Sequence, residues 1–122
     1  MMLPKDGKLL RIFIGENDRY EHQPLYEWIV RKARESGLAG ATVLRGPMGF
    51  GYSSRLHTAK ILRLSMDLPI VIEIVDTDEN LKAFLPDLEG MMRGGLVTLE
   101  NVQVINYRAD PDLPQPGPQP ES

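Results

Sequence analysis

Cysteine is absent from this 122-residue chain, which excludes disulfides, thiolate metal sites and cysteine nucleophiles and fits a reducing compartment. An excess of positive charge is absent too. With 14 Lys and Arg against 17 Asp and Glu, the formal net charge is −3, so the broad basic face that phosphate backbones require is missing and no nucleic-acid partner is expected. No apolar run is long enough to span a bilayer, and Met1-Met2-Leu3-Pro4-Lys5-Asp6-Gly7-Lys8 lacks the apolar core of a secretory signal, so a cytoplasmic protein is expected. Histidine is scarce. His22 and His57 stand far apart, and neither has ligand spacing to a carboxylate or a second histidine; solvent exposure is the simpler account of each, and no metal site is expected. No nucleophile motif appears, so no residue is assigned a catalytic role.

Glycine, by contrast, is concentrated where it could act. Gly46, Gly49 and Gly51 lie in the run Arg45-Gly46-Pro47-Met48-Gly49-Phe50-Gly51-Tyr52, directly after the strand-like Ala41-Thr42-Val43-Leu44. Glycine lets backbone N–H groups approach a ligand closely, so such a loop beside a cation can hold an anion; ordinary bulges and turns use glycine equally well. Arg93-Gly94-Gly95 is a second cluster of the same kind.

The length suits one domain. Leu9–Ile14 has the composition of a strand, and Gly15-Glu16-Asn17-Asp18-Arg19 breaks it. Pro24 suits a first helical turn, Leu25, Trp28, Ile29 and Ala33 follow at helical spacing, and Gly37 supplies a stop. Arg31, Lys32 and Arg34 then compensate the helix dipole, and Trp28 belongs to the core. A second strand runs from about Ala39 to Leu44. Tyr52 to Lys60 is a polar excursion, a third strand is expected over Ile61–Met66, and the near-continuously apolar Ile70–Val75 reads as a strand buried on both faces, with Glu73 needing a partner or an opening to solvent. Asp76-Thr77-Asp78-Glu79 offers N-cap chemistry for a helix carrying Leu81, Phe84, Leu85, Leu88 and Met91, in which Pro86 should cause a kink or shift the start. The last strand covers Leu96–Ile105, with a bulge expected at Glu100-Asn101. Residues 1–8 are expected to be a flexible start, 9–108 the domain, and the proline-rich 109–122 a disordered tail. The fold class is α+β: a ferredoxin-like βαββαβ (split βαβ) sandwich with an additional short strand, both helices on one face and the other face needing cover, for which oligomerisation is a natural solution.

From about Leu9 to Tyr107 the chain resembles the small PII-like proteins of domain of unknown function one hundred and ninety. The resemblance lies in Ala39-Gly40-Ala41-Thr42-Val43-Leu44-Arg45-Gly46, Gly49-Phe50-Gly51, Leu68–Asp76 and Gly95-Leu96-Val97-Thr98-Leu99-Glu100-Asn101-Val102. It implies a PII-like homotrimer with small effectors in the clefts between subunits. The parent PII signalling proteins bind adenine nucleotides there and contact targets through a long loop. Gly49-Phe50-Gly51 resembles the base of that loop, which supplies backbone contacts to phosphate, with Arg45-Gly46 just upstream. Arg93-Gly94-Gly95 stands where PII proteins have a phosphate loop, although its lysine-bearing half is missing, and of the late arginine pair only Arg108 is present. These residues are the nucleotide-binding candidates, and the missing cations favour AMP or ADP over ATP; no cofactor is required.

Tyr52, Arg55, His57 and Lys60 are the candidate target-contact residues, for an unknown protein such as a transporter, channel or enzyme. The surroundings of Tyr52 do not match the PII modification site, and no tyrosine nucleotidylylation is assigned. Two alternatives stand beside this regulator: a structural or partner-binding trimer resembling the divalent-cation-tolerance proteins, and an acylphosphatase-like enzyme using Glu16-Asn17-Asp18-Arg19-Tyr20-Glu21, a segment that a polar strand-to-helix connection explains more simply.

Overall fold

The computed structural model describes residues 6–49, 57–58 and 67–108. In chain order the elements are β1 (Asp6–Gly15), a small hairpin of β2 (Arg19–Tyr20) and β3 (Gln23–Pro24), α1 (Leu25–Glu35), β4 (Thr42–Arg45), the two-residue β5 (Met48–Gly49) and β6 (His57–Thr58), β7 (Pro69–Asp76), α2 (Asp78–Met91) and β8 (Leu96–Gln103). The main sheet is antiparallel in the order β4-β7-β1-β8, which is the ferredoxin-like arrangement. The strand expected at 61–66 and the tail at 109–122 lie outside the described residues.

Period-two alternation decides which side chains meet the helices. Leu10, Ile12 and Ile14 of β1 stand on the same face as Ile70, Ile72 and Ile74 of β7, and all six are buried against Leu25, Ile29 and Ala33 of α1 and Leu81, Phe84, Leu88 and Met91 of α2. The opposite face is only half covered. β7 is therefore buried on one face in the single chain, contrary to its near-continuous apolar composition, because Val71, Glu73 and Val75 point away from the helices.

α1 is preceded by Pro24 at its N-cap, with φ −57° and an extended ψ of 129°, and carries Lys32 and Arg34 in its last turn. Its end is a Schellman turn. The Leu38 N–H donates to Ala33 O at 3.1 Å and the Gly37 N–H to Arg34 O at 3.0 Å, with Gly37 at φ 78° and Leu38 buried over the last turn. Trp28 packs against the core as expected, edge-on to Tyr20 at 5.5 Å between ring centroids.

Three local expectations need correction. The polar stretch before α1 contains a hairpin whose two-residue turn places Glu21 (φ 52°) and His22 (φ 67°) in the left-handed region; without Gly or Asn there, composition gave no signal. β8 runs in unbroken register from Leu96 to Gln103, with no bulge at Glu100-Asn101, because Lys8 donates to Asn101 and Arg11 to Glu100 across the strands. Pro86 does not shift the start of α2, which begins at Asp78, capped by the Thr77 hydroxyl accepting the Asn80 N–H at 3.0 Å, and continues through the proline to Met91. Burial of four large side chains on either side of the proline outweighs its missing N–H.

Pro86 is exposed, so replacing it restores a helical hydrogen bond without disturbing the core. Pro86→Ala should stabilise the protein by about 1–3 kcal/mol in urea unfolding; an unchanged midpoint would show that the helix has already absorbed the proline without cost.

Candidate functional site

Register places three successive rows of side chains on the sheet face away from the helices. Leu44, Val71, Phe13 and Leu96 form one continuous apolar row across all four strands, with Leu44 and Leu96 about half exposed at the two edges. The next row is Thr42, Glu73, Arg11 and Thr98, and the third contains Val75, Leu9 and Glu100. Charge sits in the middle of an otherwise apolar surface. Arg11 donates from Nε to Glu73 Oε2 at 2.9 Å and from Nη1 to Glu100 Oε1 at 2.6 Å. The bond to Glu73 and the negative charge of Glu100 raise the Arg11 pKa above its ordinary value against the opposing effect of desolvation, so the guanidinium stays charged at any working pH. Glu73 thus has the partner its place in an apolar strand demanded.

Beyond these rows the face is hollow. A cleft of about 760 Å³ is bounded by Leu9, Val75 and Val102 as apolar walls, by Arg11 and Glu73 as a charged floor, by Ala39–Thr42 on one side and by Val104–Tyr107 on the other. The Tyr107 hydroxyl donates to Ala39 O at 3.0 Å and joins the two sides. Ala39 is itself held by Asp76, whose fully buried carboxylate accepts the N–H of Ala39 (2.8 Å), the N–H of Thr77 (2.7 Å) and the side-chain amide of Asn80 (2.9 Å). One carboxylate ties β7, the α1–β4 connection and the start of α2 together.

The residues singled out from sequence are spread along the sheet. Arg45 and Gly46 stand at the opposite end of β4 from Thr42, and Arg45 is ion-paired with Glu16 at 2.9 Å. Gly46 donates to Pro69 O at 2.8 Å, and a Cβ there would lie 2.9 Å from the Pro69 ring. Arg93, Gly94 and Gly95 precede β8 at the other edge; Gly95 adopts φ 109°, and a Cβ would meet Phe13 O at 2.6 Å. Packing thus accounts for Gly46 and Gly95 on its own. With β4 and β8 at the two outer edges, three strand spacings, about 14 Å, separate the arginine clusters within one chain. Arg108 is exposed beside Tyr107, at the cleft end of the sheet. Gly49 pairs with His57 across β5 and β6, while Phe50, Gly51, Tyr52, Arg55 and Lys60 lie outside the described residues. The cleft itself was missed, although a lone arginine in β1 facing a lone glutamate in β7 was its visible signal.

Among the described residues, no helix is long and apolar enough to cross a membrane, and no three Asp, Glu or His side chains gather as metal ligands. Residues 7–104 match the DUF190 family, described as an uncharacterized ACR. A UPF0166 protein of Aquifex aeolicus is 43% identical over 98 residues, covering 80% of this chain and 92% of that one. Among solved structures, a putative PII-like signaling protein from Thermus thermophilus superposes with a TM-score of 0.61 at 20% identity, covering 85% of this chain and 94% of the other. CPII, a nitrogen regulatory PII-like protein from Thiomonas intermedia solved with ADP, AMP and bicarbonate, gives 0.56 at 20% identity over 81% and 88% of the two chains. CutA from Synechococcus elongatus gives 0.54 at 13% identity, over 85% and 81%. At these identities the structures share the fold.

Asp76→Ala should lower stability by about 2–4 kcal/mol in urea unfolding at fixed protein concentration, because three donors lose their acceptor at once. A loss below about 1 kcal/mol would mean that water replaces the carboxylate freely.

Proposed function

This chain belongs to the DUF190 family, and from that membership together with the half-open cleft we propose that it is a PII-like regulatory protein binding an adenine nucleotide between the subunits of a homotrimer. The cleft carries the proposal. Its apolar walls suit a planar ring, and the Arg11–Glu73 pair offers a donor and an acceptor at the floor. The apolar row Leu44–Val71–Phe13–Leu96 is the surface that neighbouring subunits cover, since it leaves partly exposed side chains on a face that neither α1 nor α2 of the same chain covers. CPII, with its bound ADP and AMP, is a precedent for nucleotide binding on this fold.

Phosphate is reached by Arg108 at the cleft end and by Arg45-Gly46, Gly49-Phe50-Gly51 and Arg93-Gly94-Gly95 of the same or an adjacent subunit. Charge limits how many phosphates are held. Arg45 must first exchange Glu16, and Arg11 is already shared between Glu73 and Glu100, so few cations are free for phosphate and AMP or ADP is favoured over ATP. The 52–60 loop contacts the target, a protein such as a transporter, channel or enzyme, in the cytoplasm. The CutA likeness supports a second reading, a trimeric adaptor that needs no nucleotide.

Calorimetry should give saturable binding of AMP and ADP, each tighter than ATP, and AMP at about a hundred times its Kd should stabilise the protein by about 2.7 kcal/mol in thermal unfolding. Neither heat nor a melting shift with any adenine nucleotide would leave the adaptor standing. Glu16→Gln frees Arg45 and should tighten AMP binding severalfold; an unchanged Kd would remove Arg45 from the phosphate site.

A further inference from the structure

β8 lies at one edge of the main sheet and Ala39, bonded to Asp76 at the end of β7, lies two strands away, yet Tyr107 reaches it. Gln103 ends β8, so only Val104, Ile105 and Asn106 lie between that strand and Tyr107. Two strand spacings amount to about 10 Å, within reach of four residues and a tyrosine side chain, so Val104–Tyr107 runs from β8 past β1 to the end of β7. The crossing is on the face away from the helices, because the cleft lined by this segment is floored by Leu9, Arg11, Glu73 and Val75. Gly7 marks the path. A Cβ at Gly7 would lie 3.2 Å from Val104 Cγ2 and 3.3 Å from Asp76 O, so the strap sits close against the sheet where one residue lacks a side chain.

We propose that Val104–Tyr107 is a strap over the cleft, latched by the Tyr107 hydroxyl to Ala39 O, and that release of this latch admits and discharges the ligand. The anchor is firm and the strap is not. Ala39 is fixed from behind by the buried Asp76 carboxylate, which Thr77 and Asn80 also hold, whereas Ile105 is 85% exposed and Asn106 is exposed. Apart from the Tyr107 hydroxyl, no side-chain hydrogen bond holds the strap among the described residues. Asp76 is a positioning residue here: it acts on the ligand only through Ala39 and Tyr107. The nucleotide as ligand rests on the function proposed above; the latch does not.

The test is amide hydrogen exchange on the full-length protein, wild type and Tyr107→Phe, followed by AMP dissociation in stopped flow. Loss of one hydroxyl should speed exchange across residues 104–107 roughly fivefold and raise the AMP off-rate by a similar factor, with the exchange of β1 and β7 unchanged. Gly7→Ala crowds Val104 without touching Tyr107 and should act in the same direction. Unchanged exchange over 104–107 in Tyr107→Phe would overturn the latch, as would an unchanged AMP off-rate in a variant whose strap exchanges faster. Latch-dependent exchange in a wild-type protein that binds no AMP would uphold the strap and overturn the nucleotide assignment.

Discussion

The placement of β1 between β7 and β8 is the constraint on which the molecule depends. Once Leu10, Ile12 and Ile14 face the helices, the intervening Leu9, Arg11 and Phe13 must face the other way, and the registers to β7 and β8 fix every neighbour they have. A slip of one residue would expose three core isoleucines or leucines and bury a guanidinium beneath the helices. The core and the candidate site are therefore two sides of a single register. Arg11 enforces it, since its bonds to Glu73 and Glu100 form only when all three strands are aligned as observed.

The second organising element is the Asp76 carboxylate. It lies at the end of β7, where the chain turns into α2, and it accepts three hydrogen bonds from the α1–β4 connection, the α2 cap and the first turn of α2. Because the first of those segments carries Ala39, a buried polar group that looks purely structural also sets one lip of the cleft. The same carboxylate thus serves the packing of three segments and the shape of the cleft.

Helix positions were largely legible. Pro24, Gly37 and the Asp76–Glu79 cluster are local signals, and both ends of α1 and the start of α2 lie within a residue or two of them, since caps depend on neighbouring backbone groups. The strands of the main sheet were legible as runs, and Glu73 was legible as a residue in need of a partner. The hairpin at Glu21-His22 was not, because its turn uses two residues that rarely adopt positive φ. The glycine clusters were legible as runs, but what surrounds them was not. Gly46 and Gly95 are accounted for by Pro69 and by the carbonyl of Phe13, contacts that exist only after distant strands come together.

Composition and periodicity by themselves determined the fold class, the two helices, the apolar strands and the need for a second face to be covered, because each rests on spacing along the chain. Only the tertiary structure decided which charges meet, where the cleft lies and that the Tyr107 hydroxyl meets Ala39 O at its rim. Those pairings join residues 62, 89 and 68 positions apart. No local rule relates residues so far apart; the sheet register does, and it is a property of the folded chain as a whole.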